Sequence, residues 1–239
     1  MSDIKIIAFD ADDTLWVNEP FFREAEHRFC SLFSRFGTEE EISARLFEVE
    51  MKNLHSYGYG AKAFTLSLLE TALILGKEGE KRGVRPVTAD ELEQVMAIGT
   101  SLIKIPIELL DGIEEVLKEL AGKYTLVVAT KGDLLDQQRK LERSGLLPYF
   151  HHVEIMSDKK KEDYRQMLRN LKIKPDELLM VGNSLKSDVL PVLELGGYGV
   201  HIPFRITWIH ESVEGAVEHA RFYEIEHARE LIGILEKMS

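Results

Sequence analysis

The stretch FDADDTLW, Phe9 to Trp16, sets three carboxylates, Asp10, Asp12 and Asp13, within four residues. Carboxylates this close raise one another's pKa, so the cluster calls for a positive partner. Three further clusters carry residue types with chemistry: Thr130, Lys131 and Gly132; Asp158 with Lys159, Lys160 and Lys161; and Gly182, Asn183 and Ser184 with Asp188. Carboxylate and amide oxygens suit a hard divalent cation such as Mg²⁺. A hydroxyl, an ammonium and Gly-associated backbone amides suit a phosphate beside that cation. The clusters can share this work only if the fold brings them together.

Each cluster follows a short apolar run: IKIIAF (4–9), YTLVVAT (124–130), the weaker HVEIM (152–156) and ELLMVG (177–182), with YGVHIP (198–203) as a fifth. The runs are continuously apolar rather than alternating, as expected of parallel strands covered on both faces. Between them lie amphipathic patterns: GIEEVLKELAGK (112–123), DLLDQQRKLERSG (133–145) with Asp133 as N-cap and Gly145 at its end, KEDYRQMLRNL (161–171) and SDVLPVLELGG (187–197). This alternation predicts an α/β fold, a Rossmann-like doubly wound parallel sheet. In such sheets ligands bind beyond the carboxyl ends of the strands, where all four clusters fall.

One segment breaks the alternation. From Val17 to Ile105 the chain reads as helices alone: FFREAEHRFCSLFSRF, EEEISARLFEVEMKNL, GAKAFTLSLLETALIL and ADELEQVMAIGTSLI, with the charged GKEGEKRGVRPVT read as a solvated turn. The expected organisation is therefore a core of residues 1–16 and 106–239 carrying an inserted α-helical cap domain, 17–105.

Composition narrows the classes of function. A net charge of −11 opposes nucleic acid and anionic membranes as partners, though local cations and helix N-termini can still reverse the sign inside one pocket. The single cysteine, Cys30, excludes an internal disulfide framework and fits a reducing, cytoplasmic setting. The start of the chain has no basic region leading into a long apolar run, so no signal peptide is expected, and no apolar run approaches the roughly 20 residues of a membrane helix.

Taken in order, the four clusters resemble the four motifs of the haloacid dehalogenase (HAD) superfamily, phosphatase type, with a helical cap inserted after the first. DxDx[TV] is similar to Asp10-Ala11-Asp12-Asp13-Thr14, the Ser or Thr ending a strand to Thr130, the Lys ahead of a helix to one in SDKKKEDY, and GDxxxxD to GNSLKSD. The resemblance implies a Mg²⁺-dependent phosphomonoester hydrolase acting on a small phosphorylated metabolite. Asp10 would be the nucleophile that becomes an aspartyl-phosphate. Asp12 would be the general acid and then the general base. Thr130, Lys131, Gly132 and a lysine would hold the phosphoryl group. Mg²⁺ would lie among Asp10, the Asp12 backbone carbonyl, Asn183 and Asp188. The spacing to Tyr164 ranks Lys159 first among the three lysines, then Lys160 and Lys161. Asp12 favours phosphoryl transfer over dehalogenation, because the dehalogenases lack an acid there.

Two positions depart from the pattern. Asn183 stands where Asp is usual and brings an oxygen without charge, and Asp13 stands where Gly is common. Each residue also has a bland reading: a strand-end cap for Asp10 and Asp12, a β-former for Thr130, a solvated face for two of the lysines, a first-turn helix acid for Asp188. His151 and His152, adjacent on a strand, point to opposite faces and are read as structural, Cys30 as core packing, and Trp16 as the entrance to the cap. HSYGYGAK (55–62) is the cap segment considered for reaching over the pocket. The competing functions are a phosphotransferase or mutase with the same intermediate, a phosphonate hydrolase using Lys52 or Lys62 as a Schiff base, and a silent ligand-binding module of the same fold.

Overall fold

Ile6–Phe9 is buried at every position, and so is Leu178–Gly182, which marks both as central strands. The computed structural model describes residues 4–206, 208–211, 213 and 215–238. In chain order the elements are β1 (Ile6–Phe9), α1 (Glu19–Leu32), α2 (Glu39–Tyr57), α3 (Ala61–Glu80), α4 (Ala89–Ile103), α5 (Ile113–Leu120), β2 (Thr125–Lys131), α6 (Leu134–Ser144), β3 (His152–Met156), α7 (Lys161–Leu171), β4 (Leu178–Gly182), α8 (Leu190–Leu193), β5 (Tyr198–His201), β6 (Phe222–Glu224) and α9 (Glu230–Met238). They fall into two compact units, Met1–Glu19 with Ile107–Ser239, and Pro20–Pro106.

The first unit is the doubly wound α/β core. Six parallel strands run in the order β3-β2-β1-β4-β5-β6. Because strand side chains alternate, Ile7 and Phe9 join a core under α5, α6 and α9, containing Leu117, Leu141 and Leu231. Ile6 and Ala8 face the opposite core, with Tyr164, Met167 and Val192. Phe9 is registered against Val128 on one side and Val181 on the other. That register brings Asp10, Thr130 and Gly182 to one edge.

The second unit is helical. Its own core gathers Phe29, Phe33, Ile42, Leu46, Leu68 and Val95, and Cys30 is buried there. Capping boxes start two of its helices, Thr38 with Glu41 at α2 and Thr88 with Glu91 at α4. Among the described residues no helix is long and apolar enough to cross a membrane.

Two local readings need correction. The stretch after Leu75, expected as a solvated turn, stays helical through Glu80, with Gly76 and Gly79 buried. Glycine is needed there for packing, since a Cβ at Gly79 would strike the Phe36 ring. The stretch 187–197, expected as one regular helix, is a π turn (Leu185–Val189) followed by the single turn of α8. Pro191 supplies no backbone N–H to continue a regular ladder, and the Ser184 carbonyl accepts from both Asp188 and Val189. Beyond Pro203, β6 and α9 add a strand and a helix that hydrophobic runs did not announce.

Candidate active site

β1 ends where the Asp10 amide donates to Val181 O at 2.9 Å, which fixes the first acid beside β4. Asp10 is buried, and its two oxygens go to different partners. Oδ1 accepts from Lys159 Nζ, and Oδ2 accepts from Thr14 Oγ1 at 3.0 Å. Lys159, 3% exposed, also donates to Asp188 Oδ1 at 2.6 Å. Of the three lysines it alone reaches Asp10: Lys160, exposed, pairs with Asp158, and Lys161, partly exposed, with Glu194. Burial, reinforced by Asp188, holds the Asp10 carboxyl above its ordinary range although Lys159 pulls it down. Burial disfavours the Lys159 ammonium, but Asp10 and Asp188 outweigh it and raise its pKa.

Asn183 closes the other side of Asp10. Its Oδ1 lies 3.3 Å from Thr14 Oγ1, and its amide donates to the same hydroxyl at 3.1 Å. Asp188 is arranged differently from the metal ligand expected of it. Oδ1 is on Lys159, and Oδ2 accepts from the Ser184 amide at 3.0 Å. The π turn folds Asp188 back over Gly182, where any Cβ would collide with its carboxylate. Its geometry is that of an anchor for Lys159.

The donor set fits Mg²⁺. Asp10 Oδ2 and Asn183 Oδ1 converge on one hydroxyl, and Asp10 and Asp188 carry two negative charges against the single charge of Lys159. Mg²⁺ prefers one or two carboxylates plus neutral oxygens and water. Among the described residues no three His, Cys, Asp or Glu side chains form a ready-made cage, so carbonyl, amide and water oxygens would complete the shell.

Asp12 turns elsewhere. Oδ1 accepts from Trp16 Nε1 at 2.7 Å and from Lys140 Nζ at 3.0 Å. Oδ2 accepts from Gln137 Nε2 at 2.9 Å and from Lys140 Nζ at 3.3 Å. Burial opposes its ionisation, but Lys140, Gln137 and Trp16 prevail and lower its pKa. Asp13 goes a third way. With φ at 62°, a left-handed conformation that Asp tolerates, it accepts from the amides of Asn18 and Glu19, while burial pushes its carboxyl up to about 8. Each of the three crowded acids thus has protein partners of its own.

At the end of β2, Thr130 is 3% exposed and lies one residue beyond the level of Asp10. Lys131, expected at the phosphate, has its ammonium on Glu211 and on Ser187 Oγ, the latter at 2.9 Å. Glu211 also accepts from Ser184 Oγ and Ser187 Oγ, each at 2.5 Å, and these donors with Lys131 bring its carboxyl down to about 2 against the pull of burial. Gly132 has φ at 133°, open to glycine alone, and packs against Gln137.

Sequence reasoning missed Gln137, Lys140 and Glu211 as members of this cluster. Gln137 and Lys140 stand three apart on α6, a spacing that puts them on one face, but polar residues on a helix following a strand resemble an ordinary solvated surface. No signal near Glu211 points to motif four.

A family model described as haloacid dehalogenase-like hydrolase matches residues 4–196. The chain is also similar, at 32% identity and a TM-score of 0.86, to the crystal structure of a haloacid dehalogenase-like family hydrolase from Xanthomonas campestris, over 99% of this chain and 92% of that one. A glyceraldehyde 3-phosphate phosphatase of Methanopyrus kandleri is 24% identical over 243 residues, 99% of each chain. A HAD hydrolase from Bacillus subtilis, whose crystal structure is bound to magnesium, shares the fold at 18% identity and a TM-score of 0.63, over 97% of this chain and 98% of that one. The chain belongs to the haloacid dehalogenase-like hydrolases.

Proposed function

We propose that this chain, as an enzyme of that family, is a Mg²⁺-dependent phosphomonoester hydrolase that acts on a small phosphorylated metabolite through an aspartyl-phosphate on Asp10. The observation that carries the reading is the buried row Asp10–Lys159–Asp188 at the carboxyl edge of a parallel sheet, with Thr14 Oγ1 within reach of both Asp10 Oδ2 and Asn183 Oδ1. Asp10 O attacks phosphorus and the ester P–O bond breaks, while Asp12 delivers a proton to the departing oxygen. Asp12 then takes a proton from water, whose oxygen attacks phosphorus and releases Asp10 and inorganic phosphate. Lys159 holds Asp10 in place and offsets charge on the phosphoryl oxygens, with Thr130 and the backbone at Lys131 and Gly132 as further contacts. Mg²⁺, held by Asp10, the Asp12 carbonyl and Asn183, would stabilise charge on the transferring group.

The name of the Methanopyrus kandleri relative puts triose phosphates first in a substrate screen. The lone, buried Cys30 supports a cytoplasmic setting. Hydrolysis of an aryl phosphate that stops with chelator, resumes with Mg²⁺ and is lost in Asp10→Asn is the expected outcome. Turnover indifferent to both changes would defeat the reading. Asn183 favours one second reading, a module of the same fold that binds without turnover, and phosphate release by catalytic amounts of protein would exclude it.

A further inference from the structure

The Asp12 carboxylate is held with unusual completeness. Trp16 and Lys140 donate to Oδ1, and Gln137 and Lys140 donate to Oδ2. Three donor residues reaching both oxygens fix the orientation of the carboxylate, and its side chain stays 24% exposed, which leaves it an approach for a proton. Two of the three donor residues lie on α6, whose first turn Asp133 caps by accepting from the Asp136 amide at 3.0 Å, and Gln137 ties that helix to the end of β2 through Lys131 O. Lys140 is itself buried and fixed a second time by Asn18 Oδ1 at 2.8 Å.

Gln137 supplies an independent observation. Its Nε2 donates to Asp12 Oδ2 and to Lys131 O, both at 2.9 Å, and neither of these atoms can donate in return. The amide orientation is therefore forced. The cost is visible at the other end, since Oε1 is buried and has no hydrogen-bond partner among the described residues. A buried carbonyl left unpaired destabilises the fold. The same nitrogen joins the end of β2, through Lys131 O, to the Asp12 carboxylate, so the amide sets the position of Asp12 relative to that strand.

We propose that Gln137 and Lys140 are positioning residues for the acid–base step, fixing where the Asp12 carboxylate delivers and collects its proton. The inference rests on the reading of Asp12 as general acid and base. It assigns no contact with substrate to either residue, and both act through Asp12.

Ring-substituted phenyl phosphates test it, because they differ in how much the departing phenolate needs a proton while keeping one shape. In kcat/KM, which reports the step that breaks the ester bond, Gln137→Met and Lys140→Met should lose little with p-nitrophenyl phosphate. They should lose about tenfold more with the poorer leaving group p-methoxyphenol, within the range of general acid catalysis. Asp12→Asn should show the same trend, and adding Gln137→Met to it should cost nothing further. Lys140→Arg should recover most of the loss. Gln137→Met loses the orphaned carbonyl together with the donor to Asp12 and to Lys131 O, so its melting temperature is recorded beside kcat/KM, and it decides the matter alone if Lys140→Met does not fold. An equal loss across the series, no loss, or an additive loss in the double variant would overturn the proposal. Turnover retained in Asp10→Asn would instead defeat the phosphatase reading.

Discussion

Replacing Lys159 with Met removes the cation that bridges two buried acids. Lys159 Nζ is hydrogen-bonded to Asp10 and lies 2.6 Å from Asp188, and all three side chains are at most 9% exposed. Breaking a buried pair by deleting one partner typically costs about 3–5 kcal/mol, because the other charge stays buried without compensation. In a unit the size of Met1–Glu19 with Ile107–Ser239, each kcal/mol lowers the melting temperature by about 2–4 °C, so Lys159→Met should melt roughly 10 °C lower at pH 8 in chelator. The pH dependence has a definite sign. Without the lysine the folded Asp10 carboxyl, already above its unfolded value of 3.8, rises further. A group shifted upward stabilises fully below its unfolded pKa and loses that contribution as pH rises through the folded value. The deficit should therefore be small near pH 4 and grow toward pH 8. Millimolar Mg²⁺ should recover part of it by putting a cation beside the same carboxylates. Thermal unfolding at several pH values, with chelator and with Mg²⁺, reads all of this. A deficit that is absent, or equal at pH 4 and pH 8, would refute the charge argument. It would also show that Lys159 is only packing.

Two further outcomes follow from other contacts. The Glu211 carboxyl is held down to about 2 from 4.5 and its side chain is 11% exposed. Its contribution, about 3 kcal/mol at about 1.4 kcal/mol per unit, is complete above pH 4.5 and lost as pH falls through about 2. Glu211→Gln should lower stability at neutral pH and flatten the acid limb of the unfolding curve, as followed by denaturant titration. In the helical unit, Gly79→Ala drives a Cβ into the Phe36 ring and should cost about 1–3 kcal/mol, read as a lower melting temperature with site chemistry unchanged.

The core sheet was legible because continuously apolar runs such as Leu178–Gly182 have few alternatives to a covered parallel strand. The first helix cover was equally plain, with Ile113, Val116, Leu117 and Leu120 all buried on one face. Legibility failed where a tertiary contact overrode local pattern. Gly76 and Gly79 look like turn residues until Phe36 and Val87 are seen to need the space. The π turn before α8 depends on Pro191 and on Asp188 folding over Gly182, and no periodicity encodes that. In the site, the residues immediately beyond strand ends could be identified, whereas Gln137 and Lys140 could not. Their importance depends on α6 being aimed at Asp12, 125 and 128 residues earlier in the chain.

The separation of Asp10 from Asp12 explains how two acids two residues apart can hold different roles. After β1 the chain makes one tight turn in which the amides of Thr14, Leu15 and Trp16 all approach Ala11 O, at 3.2, 2.8 and 3.4 Å. That turn places Thr14 on Asp10 and Trp16 on Asp12, each four residues ahead of its acid. Asp10 is thereby committed to the β4 side with Asn183 and Lys159, and Asp12 to the α6 side with Gln137 and Lys140. Their environments push the two pKa values apart, Asp10 up and Asp12 down. Chemistry through Asp10 needs the opposite order, an ionised nucleophile and a protonated acid. Under the proposed function, binding would supply the inversion. A divalent cation beside Asp10 would lower that acid, and a phosphate dianion near Asp12 would raise the other. Neither ligand alone would reverse both, so a site built this way would become competent only with cation and phosphate ester bound together.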